Sequence, residues 1–122
     1  MKLLLDTCIL LKAATATLSK KGQNYISDEE NELYFSSAGI WEVIIKNGLN
    51  KGNFKCDPNV LYHGLCLNGY FEIPISSDHT LVVQKLRQIH KDPFDRILLA
   101  QAMHEGFTFL TADKTLKNMA SG

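Results

Sequence analysis

Short apolar runs alternate along this chain with longer stretches of helical periodicity. Lys2 to Leu5 carries three consecutive leucines and stops at Asp6-Thr7, the pattern of a buried strand meeting a helix N-cap. A helix is expected through Ile9, Leu10, Leu11 and Ala13 to about Thr17. A more polar one follows over Leu18 to Glu30, with Tyr25 and Ile26 as its few apolar contacts. Leu33-Tyr34-Phe35 reads as a second strand, followed by Ser36-Ser37. From Ser37 a helix carries Ile40, Trp41, Ile44 and Ile45, and Gly48 is placed to end it just past the last turn. A polar connector from Leu49 to Asp57 leads to Pro58, which suits the first turn of a helix ending near Gly69.

Phe71-Glu72-Ile73-Pro74-Ile75 is a third strand, and a helix around Asp78 to His90 comes after it. Asp92-Pro93-Phe94-Asp95 opens a further helix containing Ile97, Leu98, Ala102 and Met103, closed by Gly106. Phe107 to Thr111 is a fourth strand, with Asp113 just beyond it, and Lys114 to Gly122 has room for one short helix. Strands alternating with helices predict an α/β fold with a parallel sheet of four or five strands flanked by helices. In such sheets the functional crevice lies beyond the carboxyl ends of the strands. Asp6, Ser36-Ser37, Thr111 and Asp113 all fall at that end.

With 122 residues, 45% of them apolar, the chain reads as one domain, residues 1–122, with a core of ordinary size. Net charge is zero, so the strongly basic composition of a passive nucleic-acid binder is absent. Cys8, Cys56 and Cys66 make no CxxC pair and no Cys/His metal spacing, which reads as reduced thiols in a cytosolic protein. The apolar N-terminal run is too short for a signal peptide. No run approaches the roughly 18 residues of a membrane helix. A soluble, cytoplasmic protein without a membrane partner is expected.

The chemistry rests on the acids. Asp6, directly after a buried strand, is equally an N-cap for the next helix. Glu42 is equally an exposed helical glutamate paired with Lys46 at i+4. Asp92 as N-cap, Pro93 at the first helical position and Asp95 at the third make a good helix start without any chemistry. Arg96 beside them reads equally as a surface charge. Asp113 suits a cap or a turn. These roles leave one thing unexplained: several acids fall at one end of one sheet. Clustered carboxylates repel unless a cation or shared protons compensate. An oxygen-only set points to Mg²⁺ or Mn²⁺ rather than zinc. The chemistry that uses it is phosphodiester hydrolysis, with a cation activating water and neutralising the leaving oxygen. His63, His79, His90 and His104 have no serine or cysteine elbow beside them.

Four blocks in order, Leu3-Leu4-Leu5-Asp6-Thr7, Ser36 to Glu42, His90 to Arg96 and Leu110 to Asp113, resemble PIN-domain proteins. Within that family the chain is most similar to VapC-type toxins of bacterial type II toxin–antitoxin pairs. The resemblance covers nearly the whole chain. It implies a Rossmann-like PIN fold and a Mg²⁺- or Mn²⁺-dependent endoribonuclease. Asp6 and Asp95 would then be the principal metal ligands, with Glu42 and Asp113 completing the site directly or through water. Thr7 and Thr111 would orient the carboxylates by hydrogen bonding, and Asp92 with Arg96 would shape the rim. The resemblance also implies an RNA substrate, a cognate antitoxin covering the rim and a homodimer, for which residues near Trp41 and Ile45 are candidate contacts.

Two features depart from the family pattern. Cys8 stands where relatives often carry histidine, and no candidate is visible for a fifth, edge strand. Between Val43 and Cys56 lie Lys46, Lys51 and Lys55 with no acid, and between His79 and Lys91 lie Lys85, Arg87 and Lys91 likewise. These are candidate RNA contacts and equally solvated surface charges. Two rival functions remain: a catalytically silent PIN-like binding module, and a nuclease acting on DNA or an enzyme acting on small phosphoesters.

Overall fold

A computed structural model describes residues 1–49, 56–86, 92–111 and the backbone of 115–116. Five strands form one sheet in the order β3-β2-β1-β4-β5. Four of them are parallel: β1 (Lys2–Leu5), β2 (Glu32–Ser36), β3 (Phe71–Ile73) and β4 (Thr108–Leu110). The helices are α1 (Thr7–Ala14), α2 (Lys20–Ser27), α3 (Ser37–Gly48), α4 (Pro58–Leu67), α5 (Ser77–Val83) and α6 (Pro93–Glu105). Among the described residues no helix is long and apolar enough to cross a membrane. Cys8, Cys56 and Cys66 are free cysteines.

The three leucines of β1 explain the layering. Side chains alternate across a strand, so Leu3 and Leu5 face one side and Leu4 the other. Leu3 and Leu5 join Ile9, Leu10, Phe35, Val43, Leu61 and Leu65 in one buried cluster. Leu4 joins Ala38, Ile73, Leu98, Leu99, Ala102 and Phe109 in a second. A central strand buried on both faces has no room for polar alternation, which is why β1 reads as a continuous apolar run.

Several boundaries differ from the sequence expectation, each for a local reason. α1 stops at Ala14 rather than Thr17. Thr15 Oγ1 bonds back to the Leu11 carbonyl at 3.0 Å, and Ala16 turns left-handed at φ 58°. α2 begins only after Ser19, whose Oγ accepts the Gly22 N–H at 3.1 Å, and this leaves Leu18 to enter the core. Gly48 does not end α3 by a left-handed turn; it is the last helical residue, and Leu49 caps at φ −85°. The Asn47 amide secures that end instead, by donating to the Cys56 carbonyl. β3 ends at Ile73, before Pro74, which has no N–H to offer a ladder.

The expected absence of a fifth strand is corrected: β5 (Thr115–Leu116) pairs antiparallel with β4, Leu110 opposite Thr115. Two residues are too short to carry a readable alternation, and their pairing excludes the tail helix at those positions. The helix expected to reach His90 ends earlier: α5 stops at Val83, with Gln84 as its C-cap. The rest of the tail segment, Asp113 included, lies outside the described residues, as do residues 87–91.

α5 and α6 are tied together through a buried histidine, His79. Ser76 caps α5, accepting the His79 N–H while its own N–H donates to His79 Nδ1 at 3.0 Å. That bond makes Nδ1 an acceptor, so Nε2 carries the proton and donates to Glu105 Oε2 at 2.9 Å. α6 ends as expected at Gly106, in the left-handed region at φ 74°. A side chain is strained there whatever the space around it. Gly106→Ala is expected to lower unfolding free energy by about 1–2 kcal/mol. Urea titration should show an earlier midpoint with an unchanged m-value.

Candidate functional site

The chain runs from β1 outward to β2 and β3, then crosses back to place β4 on the other side of β1. The carboxyl ends of β1 and β4 meet at this reversal, the usual ligand position in an open parallel sheet. Asp6 follows β1 directly, and its N–H donates to the Leu110 carbonyl at 3.0 Å, so it sits against the end of β4. Thr111, half-buried, is the next residue of that strand end.

Asp6 is a cap. Its Oδ1 accepts the Ile9 N–H at 2.8 Å, which fixes the carboxylate at the start of α1. The next residue, Thr7, is buried, and its Oγ1 has no hydrogen-bond partner among the described residues. The hydrogen bond from Thr7 to a carboxylate, expected above, is therefore not made. The hydroxyl packs instead against the first turn of α3, where a Cβ added at Gly39 would lie 3.3 Å from it. Glycine at 39 thus lets α3 approach α1 closely, and Glu42 stands one turn further along α3.

α3 starts at the rim because Ser36, fully buried, caps it by accepting the Ala38 N–H at 3.0 Å. Glu42 is not the exposed glutamate that an i+4 pair with Lys46 suggests. The pair exists, with Nζ 2.7 Å from Oε2, yet Glu42 is only 3% exposed. Its other oxygen, Oε1, is buried and has no hydrogen-bond partner among the described residues. The hydrogen bond to Glu42 holds the Lys46 ammonium above the usual lysine range. Attraction from Glu42, Asp92 and Asp95 adds to that bond and outweighs the opposing effect of burial.

α6 brings the remaining acids. Asp92 is the expected N-cap, with Oδ1 accepting the Phe94 N–H at 2.8 Å, and Asp95 lies in the first turn, half-buried. Arg96 is more than a surface charge: it donates from Nη2 to the Val83 carbonyl at 3.0 Å, joining the end of α5 to the start of α6. Sequence reasoning missed a second link. Trp41 meets Phe94 edge-on, with ring centroids 5.2 Å apart, directly beside Glu42 and Asp95 in the chain. An aromatic immediately before an acid in two neighbouring blocks was the only signal for it.

The structure thus gathers Lys46 with Glu42, Asp92 and Asp95, and sets Asp6 at the adjoining strand end. Among the described residues no three carboxylate, histidine or cysteine side chains are close enough to hold a metal ion by themselves. Asp113, Lys51, Lys55, Arg87 and Lys91 lie outside the described residues.

The sequence model of the PIN domain family matches residues 3–122. The chain belongs to that family. No curated protein matches it. Similar solved structures include VapBC2 from Rickettsia felis bound to a DNA fragment from its promoter, with TM-score 0.66 and 20% identity over 89% of this chain and 85% of that one. DNA-bound VapBC from Salmonella typhimurium aligns with TM-score 0.66 and 14% identity, over 91% and 86% of the two chains. A toxin–antitoxin complex from Klebsiella pneumoniae gives 0.58 and 19%, over 87% and 82%. At these identities the likeness concerns the fold, and the PIN domain here shares its parallel sheet and flanking helices with them.

Proposed function

We propose that this PIN domain, spanning residues 1–122, is a cytoplasmic Mg²⁺- or Mn²⁺-dependent endoribonuclease, the toxin of a type II toxin–antitoxin pair. The observation that carries the reading is Glu42, a buried carboxylate whose Oε1 has no hydrogen-bond partner among the described residues. An unsatisfied anionic oxygen in the interior is costly, and a hard cation at the rim would satisfy it. Asp6 and Asp95 are the principal ligands in this reading, with Glu42 and Asp113 completing an all-oxygen set suited to Mg²⁺ or Mn²⁺. When bound, the ion supplies an activated water and neutralises charge on the phosphate.

The protein's own part is to hold the carboxylates in place. Asp6 is fixed by its cap to Ile9, Glu42 by the Ser36-capped helix, and Asp95 by α6, which Arg96 anchors to α5. Thr111, at the strand end beside Asp6, orients the carboxylates by hydrogen bonding in this reading, and Asp92 adds negative charge at the rim. Lys46, Lys51 and Lys55 are candidate contacts to the RNA phosphates. The similar structures that are toxin–antitoxin complexes support an antitoxin partner. A homodimer would use α3, where Trp41 is 57% exposed, Ile44 is exposed and Ile45 half-buried.

The test is cleavage of single-stranded RNA, DNA of the same sequence and a chromogenic phosphate ester, each with Mn²⁺ and with EDTA. RNA cut only with Mn²⁺ is the expected result. Equal cutting of DNA moves the substrate assignment, and no cleavage of any of the three favours a binding module.

A further inference from the structure

Lys46 sits on one of the acids that the proposed function gives to a metal ion. Its Nζ lies 2.7 Å from Glu42 Oε2, and the carboxylates of Asp92 and Asp95 attract it as well. The two partners differ in their access to water: the lysine side chain is 41% exposed and the glutamate side chain 5%. Glu42 therefore has no solvent to turn to, and its Oε1 has no hydrogen-bond partner among the described residues. Lysine is a compact point charge on a flexible stem. From its half-exposed position the ammonium can leave Glu42 and remain hydrated, whereas the carboxylate cannot follow it.

We propose that Lys46 is an internal counter-ion that competes with the divalent cation for Glu42. In the metal-free protein the ammonium neutralises the buried carboxylate. A hard dication entering the site meets that positive charge next to its ligand, and Lys46 has to give up Glu42 Oε2 as the ion binds. Metal affinity is thus set lower than the carboxylates alone would make it. The inference rests on the metal reading of the same site, and it assigns Lys46 a role toward the ion that a plain phosphate contact does not have.

Mn²⁺ binding without RNA tests this, read from the electron paramagnetic resonance signal of free Mn²⁺ and from thermal melts with and without Mn²⁺. Wild type, Lys46→Gln and Lys46→Arg are compared. Lys46→Gln should bind Mn²⁺ on the order of tenfold more tightly, the size of an ordinary coupling between two ligands of one protein. Its melting temperature should rise more on Mn²⁺ addition than that of wild type. Lys46→Arg keeps the charge and should follow wild type. Equal Mn²⁺ affinity in wild type and Lys46→Gln overturns the competition while leaving the metal reading in place. A Lys46→Gln protein that does not fold even with Mn²⁺ also overturns it, because the ion then fails to take over from the ammonium. No binding by any of the three removes the metal reading and the inference with it.

Discussion

Asp6→Asn is expected to leave stability near wild type and to abolish RNA cleavage. Asp6 holds two roles that this substitution separates. Its Oδ1 accepts the Ile9 N–H at 2.8 Å and starts α1. Asparagine offers the same carbonyl oxygen and ranks with aspartate as a helix cap, whereas alanine at such a position costs about 1 kcal/mol. The amide lacks the negative charge that a Mg²⁺ or Mn²⁺ site needs. Cleavage should fall by more than the roughly 100-fold expected for losing an outer-shell partner of a metal. Urea denaturation and a Mn²⁺-dependent cleavage assay on the same preparations read the two roles apart. If Asp6→Asn cuts RNA at the wild-type rate, Asp6 is a cap and nothing more.

The sequence carried the frame because its signals are local and strong. Three leucines between a charged residue and Asp-Thr specify a strand and its exit. Asp92-Pro93 and Gly106 bracket α6 with a cap, a first-turn proline and a closing glycine, which the structure puts in the left-handed region. What escaped was set by contacts distant in sequence. β5 is two residues long and forms because β4 offers it an edge. Arg96 looks like any surface charge until the end of α5 is brought beside it. Glu42 shows the same limit within the site. Its i+4 spacing to Lys46 is plain, but its burial depends on α1 and α6 closing over α3. Thr7 gave the opposite outcome, a hydroxyl used for close helix packing against Gly39 rather than for orienting a carboxylate.

Glu42→Met is expected to make the protein more stable and less active. Glu42 is buried with one oxygen on Lys46 and the other unpartnered among the described residues, so the folded state carries the desolvation of a carboxylate with incomplete compensation. Replacing a buried ion pair by apolar groups of similar volume is often neutral, or stabilising by about 1–4 kcal/mol. Removing a single partner is harmful when it leaves the other charge buried. Here the partner left behind is Lys46, 41% exposed, whose ammonium can turn to water. The reverse change, losing Lys46, strands the buried anion instead, and the two substitutions should therefore move stability in opposite directions. Methionine fills the space of the glutamate stem without a polar atom to satisfy. The denaturation midpoint of Glu42→Met should rise at constant m-value, while Mn²⁺ affinity and RNA cleavage both fall. A gain in stability bought with lost function is the pattern of a residue kept for chemistry. A destabilised Glu42→Met would instead make the pair with Lys46 a structural tie. Unchanged cleavage would take Glu42 out of the site and leave the acids of α6 and Asp6 to hold the ion.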